Sequence, residues 1–567
     1  MAEKQNTVIG GAIGNCVHVA GVYEFLRIAE NIGFSTKFLG AAVAIPDFVA
    51  EISKTKPSIV CISYRLTPTS LTGILQEFFK EIDKQNLFNR KFFFGGTPSN
   101  VEIARDFSQF THFFTGEEPY EEILKSLETD ISTKSKKIIS EKSSVYTSNN
   151  LETKAESKRD SYILPMIRHH FGLPSLEETI AGVKKIAESK MVDVISLATD
   201  QNAQEFFFEP EKMDKNLDGT GGVPVRSEAD LERIFAASRY GNNPRLRIYS
   251  GTKNLEKWAE MSLRTINNAW GTIPLFWYSQ LDGRSKRPLD EAIEENKKVI
   301  KWYAEREIPV EINDSHHWSL RESPDVMAVV DFYISALNAK DLGVKKYIAQ
   351  MMFNTPRLSS AKMDLAKMLA KMELANELVD DNFEIWKQVR AGLTHFSVDL
   401  DVAKGQLAAS TLLSLALDPQ IIHVVSFSEA SHAASSENVI ESCKIVKGVL
   451  KNTWRGFPDL TIDPEVKQRK EFLLSEAREM IKLMRTAFSN NAEDPLTNSK
   501  ILAKIVNHGF LDAPQLKGNP AALGKIRTMP VNGGYDIVNK NGMPVKISEY
   551  FAELMEAKSF KKLKDGK

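Results

Sequence analysis

The sequence predicts an α/β protein in two parts. A flavodoxin-like (Rossmann-like), doubly wound domain comes first, and a (β/α)8 TIM-type barrel with a small C-terminal extension follows. Three observations predict this. Over the first 130 residues, apolar runs of strand length alternate strictly with amphipathic helical patterns, as in a parallel sheet covered on both faces. A stretch rich in Ser, Lys, Thr and Glu then interrupts the alternation. Beyond it the alternation resumes in longer units, eight of them by residue 500, as a barrel requires. The expected domains are 1–130, a flexible linker 131–160, a barrel 161–500 and an extension 501–567.

Composition narrows the function classes. Lys and Arg number 73 against 74 Asp and Glu, so the charge balance makes no electrostatic case for nucleic acid or an anionic membrane. The cysteines, Cys16, Cys61 and Cys443, are too few and too scattered for a disulfide framework or a structural zinc site. With no long uncharged apolar run and no signal-like start, a cytoplasmic, soluble protein is expected, with a homodimer allowed.

In the first domain the strand runs are 7–13, 35–39, 58–63, 91–94 and 112–115, with helices at 22–32, 45–55, 71–86, 100–107 and 120–128. The unusual residues sit in the loops that leave the strands. His18 follows the first strand, Ser63-Tyr64-Arg65-Leu66-Thr67 the third, Gly95-Gly96 the fourth and Gly116 the fifth. In a doubly wound sheet these loops share the edge where ligands bind. A receiver or nucleotide-binding domain with a surface histidine is the bland alternative.

The motifs Cys16-Val17-His18-Val19-Ala20-Gly21, Ser63-Tyr64-Arg65 and Gly95-Gly96 resemble the cobalamin-binding module of mutases and methionine synthases. That family's signature is D-x-H-x-x-G, then S-x-L, then G-G. The resemblance implies that His18 is the lower axial ligand of the cobalt, in the base-off, His-on form. It also implies that Cys16, Gly21, Ser63, Arg65, Gly95, Gly96 and Gly116 surround the cofactor and its displaced nucleotide tail. The chemistry is sound: one imidazole nitrogen coordinates while the other takes a hydrogen bond that sets its basicity. Glycines let a bulky tail come close to the backbone. Two positions depart from the pattern. Cys16 stands for the Asp, and a thiol is a weaker partner. Arg65 stands for the Leu, unless one inserted residue brings Leu66 there.

In the barrel the expected strands are 164–168, 193–198, 246–250, 273–278, 309–313, 346–351, 389–395 and 421–427. Ser175 and Glu178 form a capping box before a helix. Amphipathic patterns at 288–304, 324–338 and 359–378 supply further helices. An open α/β sheet is the alternative. Polar residues collect just past the strand ends, where barrels place their chemistry. Among them are Arg168-His169-His170, Asp314-Ser315-His316-His317 and Ser426-Phe427-Ser428-Glu429. The run Asn313 to Trp318 is a poor metal site, because adjacent side chains point apart and helical ligand spacing is missing. A His beside an Asp fits a general acid or base as readily as a structural pair.

The stretch from Gly509 through Asp512, Pro514 and Asn519 to Gly524 resembles the closing segment of the glutamate mutase (methylaspartate mutase) epsilon subunit, with diffuse similarity back to about residue 165. The resemblance implies an adenosylcobalamin-dependent radical isomerase, a carbon-skeleton mutase, with both components fused. It implies that Glu429 helps hold the adenosyl ribose and that Arg168 matches the first of three arginines that grip glutamate. The second falls near Ala203 or Gln204 and the third on Asp314. A carboxylate does not grip a carboxylate, so a small acid other than glutamate is expected. Arg168, Asp314, His316 and His317 are the candidates to face it. The alternatives are a corrinoid-dependent methyltransferase and a non-catalytic cobalamin carrier or sensor.

Overall fold

The computed structural model describes residues 7–128, 165–453, 456–489 and 493–556. The expected linker at 131–160 lies outside the described residues. The chain divides into two compact units, Met1–Val145 and Tyr146–Lys567. Among the described residues no helix is long and apolar enough to cross a membrane.

The first unit is one parallel sheet of five strands: β1 (Thr7–Ile13), β2 (Ser35–Val43), β3 (Ile59–Tyr64), β4 (Lys91–Gly96) and β5 (Phe110–Phe114), in the order β2-β1-β3-β4-β5. This is the flavodoxin-like order, with the topological switch between β1 and β3. Alternation along the strands sorts the side chains to two faces. Val8, Ile59, Cys61 and Phe93 pack under α1 (Ala20–Asn31) and α5 (Tyr120–Glu128). Ile9, Val60, Ile62, Phe92 and Phe94 pack under α2 (Ile45–Thr55), α3 (Pro68–Lys84) and α4 (Pro98–Arg105). Prolines open α2, α3 and α4, where the missing N–H costs nothing.

The second unit is built on eight parallel strands: β6 (Met166–Phe171), β7 (Val194–Leu197), β8 (Arg245–Ile248), β9 (Gly271–Thr272), β10 (Val310–Ile312), β11 (Lys346–Phe353), β12 (Glu384–Ala391) and β13 (Ile421–Val424). Their order is β8-β7-β6-β13-β12-β11-β10-β9, so β8 and β9 are the edges of this sheet among the described residues. That seam is bridged: Ala269 N–H donates to Leu246 O at 2.9 Å, Ser250 N–H to Thr272 O at 3.3 Å and Arg247 Nε to Thr272 Oγ1 at 2.9 Å. The sheet is thus a nearly closed parallel barrel, the arrangement of a (β/α)8 fold.

Two strands differ from expectation. The run 273–278 is apolar, but the ladder there stops at Thr272. Pro274 has no N–H, and the N–H groups of Leu275 and Phe276 donate to the Asp314 carboxylate at 2.6 and 2.7 Å. β12 lies earlier than 389–395. It begins at Glu384 and ends where Gly392 meets the 353–355 segment, leaving a 2.1 Å gap between a built Cβ and Thr355 Oγ1.

Outside the barrel lie α6 (Leu176–Ser189), α7 (Gln201–Phe206), α8 (Glu228–Ala237), α9 (Leu255–Ile266), α10 (Leu289–Ala304), α11 (Asp314–Ser319), α12 (Asp325–Asp341), α13 (Ala361–Asn376), α14 (Leu400–Ser414) and α15 (Ser436–Thr453). The long α16 (Pro464–Ala487) crosses α12 and α13 and buries their outer faces. The C-terminal segment does not form a core of its own. α17 (Ser499–Asn507), the β14 (Thr528–Val531) and β15 (Gly534–Ile537) hairpin and α18 (Ile547–Glu556) complete the second unit, and Phe510, Leu511 and Phe551 join the barrel's core. The buried Asp512 carboxylate accepts N–H bonds from Ala513, Gly524, Lys525 and Ile526 at 2.9–3.2 Å. The distinctive acid of the tail motif is therefore a structural pin.

Candidate functional site: a histidine edge and a polar barrel lumen

In the first unit the chain leaves β1 through a turn in which Gly14 has φ +69°. Cys16 is buried and His18 is exposed before α1 starts at Ala20. Three contacts hold this loop. The Arg65 N–H donates to Cys16 Sγ at 3.3 Å, Ala42 N–H donates to Cys16 O at 2.8 Å, and the Ser63 hydroxyl donates to His18 O at 3.1 Å. Cys16 Sγ lies 3.8 Å from His18 Nδ1. The strand ends of β1, β2 and β3 thus fix the histidine backbone at the switch point, with a soft partner behind Nδ1. Among the described residues nothing bonds to Nε2.

Beside the loop is a cavity of about 250 Å3 between α1 and the ends of β3, β4 and β5. Gly21, Ser63, Arg65, Gly95, Gly96 and Gly116 all line it, and Phe25, Phe93 and Phe114 form its apolar walls. The two glycines of the pair differ. A Cβ on Gly95 would have one neighbour, Phe114 O at 3.9 Å, whereas one on Gly96 would sit 2.6 Å from Tyr64 O and 2.9 Å from the Phe94 ring. Gly95 keeps the cavity open, and Gly96 lets β4 pass β3. Sequence reasoning missed Glu118 on the rim. Its carboxylate accepts the Thr115 and Gly116 N–H groups at 2.7 and 2.9 Å and the Thr115 hydroxyl at 2.7 Å. Burial pushes this carboxyl up, but the hydrogen bonds prevail and hold it below its ordinary range.

The interior of the barrel is polar and fully buried. Arg168 donates from Nε to Ser196 Oγ at 2.7 Å. From Nη1 it donates to Gln388 Oε1 at 2.7 Å and to Glu311 Oε2 at 3.1 Å, and from Nη2 to His170 Nε2 at 3.1 Å. Arg247 lies 3.3 Å from the same Glu311 oxygen and stacks 3.7 Å from the centre of the Tyr249 ring. Trp270 Nε1 donates to Glu311 Oε2 at 2.8 Å. A relay of neutral groups continues from there. His170 stacks on His423 at 4.7 Å. His423 Nδ1 donates to Gln350 Oε1 at 3.1 Å, and Gln350 Nε2 donates to His316 Nδ1 at 3.2 Å. Burial, reinforced by the arginines, holds His170, His316 and His423 well below the ordinary imidazole range.

At the ends of β6, β12 and β13 a pocket of about 370 Å3 opens, lined by His169, His170, Arg390, His423, Ser426 and Glu429 among others. Four expected substrate-facing residues are placed differently. Arg168 lies inside the barrel with its guanidinium taken up by the lumen. Asp314 pins the backbone after β9, and burial pushes its carboxyl up to about 7 against those two N–H donors. His316 is buried on Gln350. His317 is half-buried, with its ring 4.4 Å from that of His316 and 5.4 Å from that of Trp277. None of the four lines the mouth pocket. Sequence reasoning did not single out Glu311, Arg247, Gln388 or Arg390. Their signal was there: a charged or amide side chain inside a short strand has only the lumen to enter.

No family model matches the chain, and no curated protein matches it. Among solved structures, a cobalamin-binding protein from Desulfitobacterium hafniense DCB-2 is 20% identical over 23% of this chain and 60% of that one, with a TM-score of 0.20. The cobalamin-dependent S-adenosylmethionine radical enzyme OxsB is 10% identical in its apo form, over 84% of this chain and 61% of that one, with a TM-score of 0.20. Its complex with aqua-cobalamin and S-adenosylmethionine is 11% identical, over 84% and 62%, again with a TM-score of 0.20. This chain spans about three fifths of the length of each.

Proposed function

We propose that this chain is a cobalamin-dependent enzyme, in which the first unit carries the cofactor and the barrel lumen handles a small acid. The observation that carries the reading is His18: an exposed imidazole at the sheet's switch point, backed at Nδ1 and free at Nε2, beside an apolar cavity kept open by Gly95. These residues suit a corrin with its own base displaced. His18 Nε2 would be the ligand for cobalt, and Cys16 and Ser63 would position the ring and its backbone. The apolar cavity would accept the flat base at the end of the displaced nucleotide tail.

The finer reading is an adenosylcobalamin-dependent radical mutase, in line with the resemblance of the tail and barrel. When bound, that cofactor supplies a carbon-centred radical that removes and returns a hydrogen. The chain's own part is binding, orientation and exclusion of water. The neutral relay from His170 to His316 offers hydrogen bonds without exchangeable charge, and Glu429 at the rim offers acceptors for ribose hydroxyls. A methyltransferase that activates a thiol on zinc is less well supported, because Cys443 is buried in the helix layer and the mouth pocket has no thiol.

The test is spectroscopic. Purified protein mixed with aqua-cobalamin is expected to give a base-off, His-on spectrum, which His18→Ala abolishes. Binding with the nucleotide base still on cobalt, or no binding, overturns the reading. With adenosylcobalamin and substrate, an organic radical in EPR supports the mutase, and methyl transfer without a radical refutes it.

A further inference from the structure

The displaced tail of a corrinoid carries a charge between two larger parts. At one end is the corrin, at the other a flat base, and a phosphodiester lies on the chain that joins them. A protein that takes the corrin at a histidine and the base in an apolar cavity must meet that anion on the path between the two.

Arg65 stands on that path. Its backbone belongs to the histidine loop: its N–H donates to Cys16 Sγ at 3.3 Å, and that sulfur lies 3.8 Å from His18 Nδ1. Its side chain belongs to the cavity, which it lines beside Ser63 and Gly95. The segment is anchored on both sides. Asn100, fully buried in α4, donates from Nδ2 to Tyr64 O and to Leu66 O, each at 3.1 Å. The Ser63 hydroxyl holds His18 O at 3.1 Å. With residues 63–66 fixed in this way, only side-chain freedom is lost when Arg65 takes an anion.

The guanidinium is also uncommitted. Arg65 is exposed, and among the described residues no carboxylate pairs with it. It is the one cation among the described residues that line the cavity. Two acids share the lining. Glu118 spends its oxygens on the Thr115 and Gly116 N–H groups and the Thr115 hydroxyl, and Glu24 is exposed on α1. An exposed arginine is ordinary on its own. One clamped beside a candidate ligand histidine, at the rim of an apolar cavity, suits a ligand with an apolar end and an anion next to it.

We propose, resting on the cobalamin reading above, that Arg65 holds the phosphodiester of the displaced tail. The planar fork of a guanidinium meets two phosphate oxygens at once, which an ammonium does not. The resemblance puts a leucine at this position, so the contact is this chain's own.

The test uses two corrinoids, titrated by absorbance into the full chain and its variants. Aqua-cobalamin has the whole tail; diaquacobinamide has the corrin without phosphodiester, ribose or base. Arg65→Met should weaken cobalamin about five- to tenfold and leave cobinamide within about twofold of the parent. Arg65→Lys keeps the charge without the fork and should recover part of the loss. Raising the salt from about 50 to about 500 mM should weaken cobalamin severalfold in the parent and scarcely in Arg65→Met. That comparison needs cobalamin alone, so it decides the matter if cobinamide binds too weakly to measure. Arg65→Met binding cobalamin as tightly as the parent, losing both corrinoids equally, or keeping the parent's salt dependence would each overturn the proposal. The two readings fail differently. A parent that binds cobalamin base-off while Arg65→Met makes no difference defeats this contact alone. A parent that binds no cobalamin, or binds it with its own base on cobalt, defeats the cofactor reading and this contact with it.

Discussion

The paired glycines of β4 give opposite predictions for neighbouring substitutions. Gly95→Val places its new atoms in the cavity, because the nearest neighbour of a built Cβ is Phe114 O at 3.9 Å. A β-branched residue also suits a strand better than glycine, so the fold should be unchanged or gain up to about 1 kcal/mol. The gain comes at the expense of space in a cavity of about 250 Å3. If the slot takes the flat, apolar base of the tail and buries roughly 100 Å2 of it, excluding it forfeits about 2–3 kcal/mol, or about thirty- to one-hundred-and-fortyfold in affinity. Gly96→Ala sets its methyl 2.6 Å from a backbone oxygen on the adjacent strand, which cannot move without breaking the ladder. It should cost about 1–3 kcal/mol of stability. Urea unfolding and absorbance titration with aqua-cobalamin measure both effects on the same samples. A stable Gly95→Val protein that binds cobalamin as tightly as the parent would refute the tail slot. A Gly96→Ala protein as stable as the parent would refute the packing account.

Three further outcomes follow. Cys16→Asp puts a strong acceptor behind His18 Nδ1 while keeping a partner for the Arg65 N–H, so cobalamin binding in the same titration should tighten about three- to tenfold. Asp512→Ala orphans four backbone N–H groups and should cost on the order of 3 kcal/mol in the unfolding of the second unit, with Asp512→Asn losing less. Asp314 has a folded pKa raised to about 7 from an ordinary 3.8. Its contribution to stability is thus full below about pH 3.8 and fades as pH rises to 7. Melting curves from pH 4 to 7 should decline less steeply in Asp314→Asn than in the parent.

The elements that sequence periodicity located well are those in which hydrophobic burial alone decides the fold. β1 and α2 match to the residue, because an unbroken apolar run and a proline-led amphipathic turn have no competing arrangement. The segment after β9 was misread for a reason that periodicity does not carry. Its residues are as apolar as a strand, but the partner for its N–H groups is a carboxylate about forty positions away. The same blindness misjudged Asp314 itself, whose position past a strand end resembles that of a catalytic acid. The lumen was open to a stricter rule. Arg247 lies within four residues of strand, Glu311 within three and Arg390 within eight, and a parallel barrel covered by helices has no solvent face for them. An ionised side chain in such a strand must meet an opposite charge or a ligand inside. Arg168 and Arg247 meet Glu311, and Arg390, at the rim, is attracted by Glu429 and Glu311.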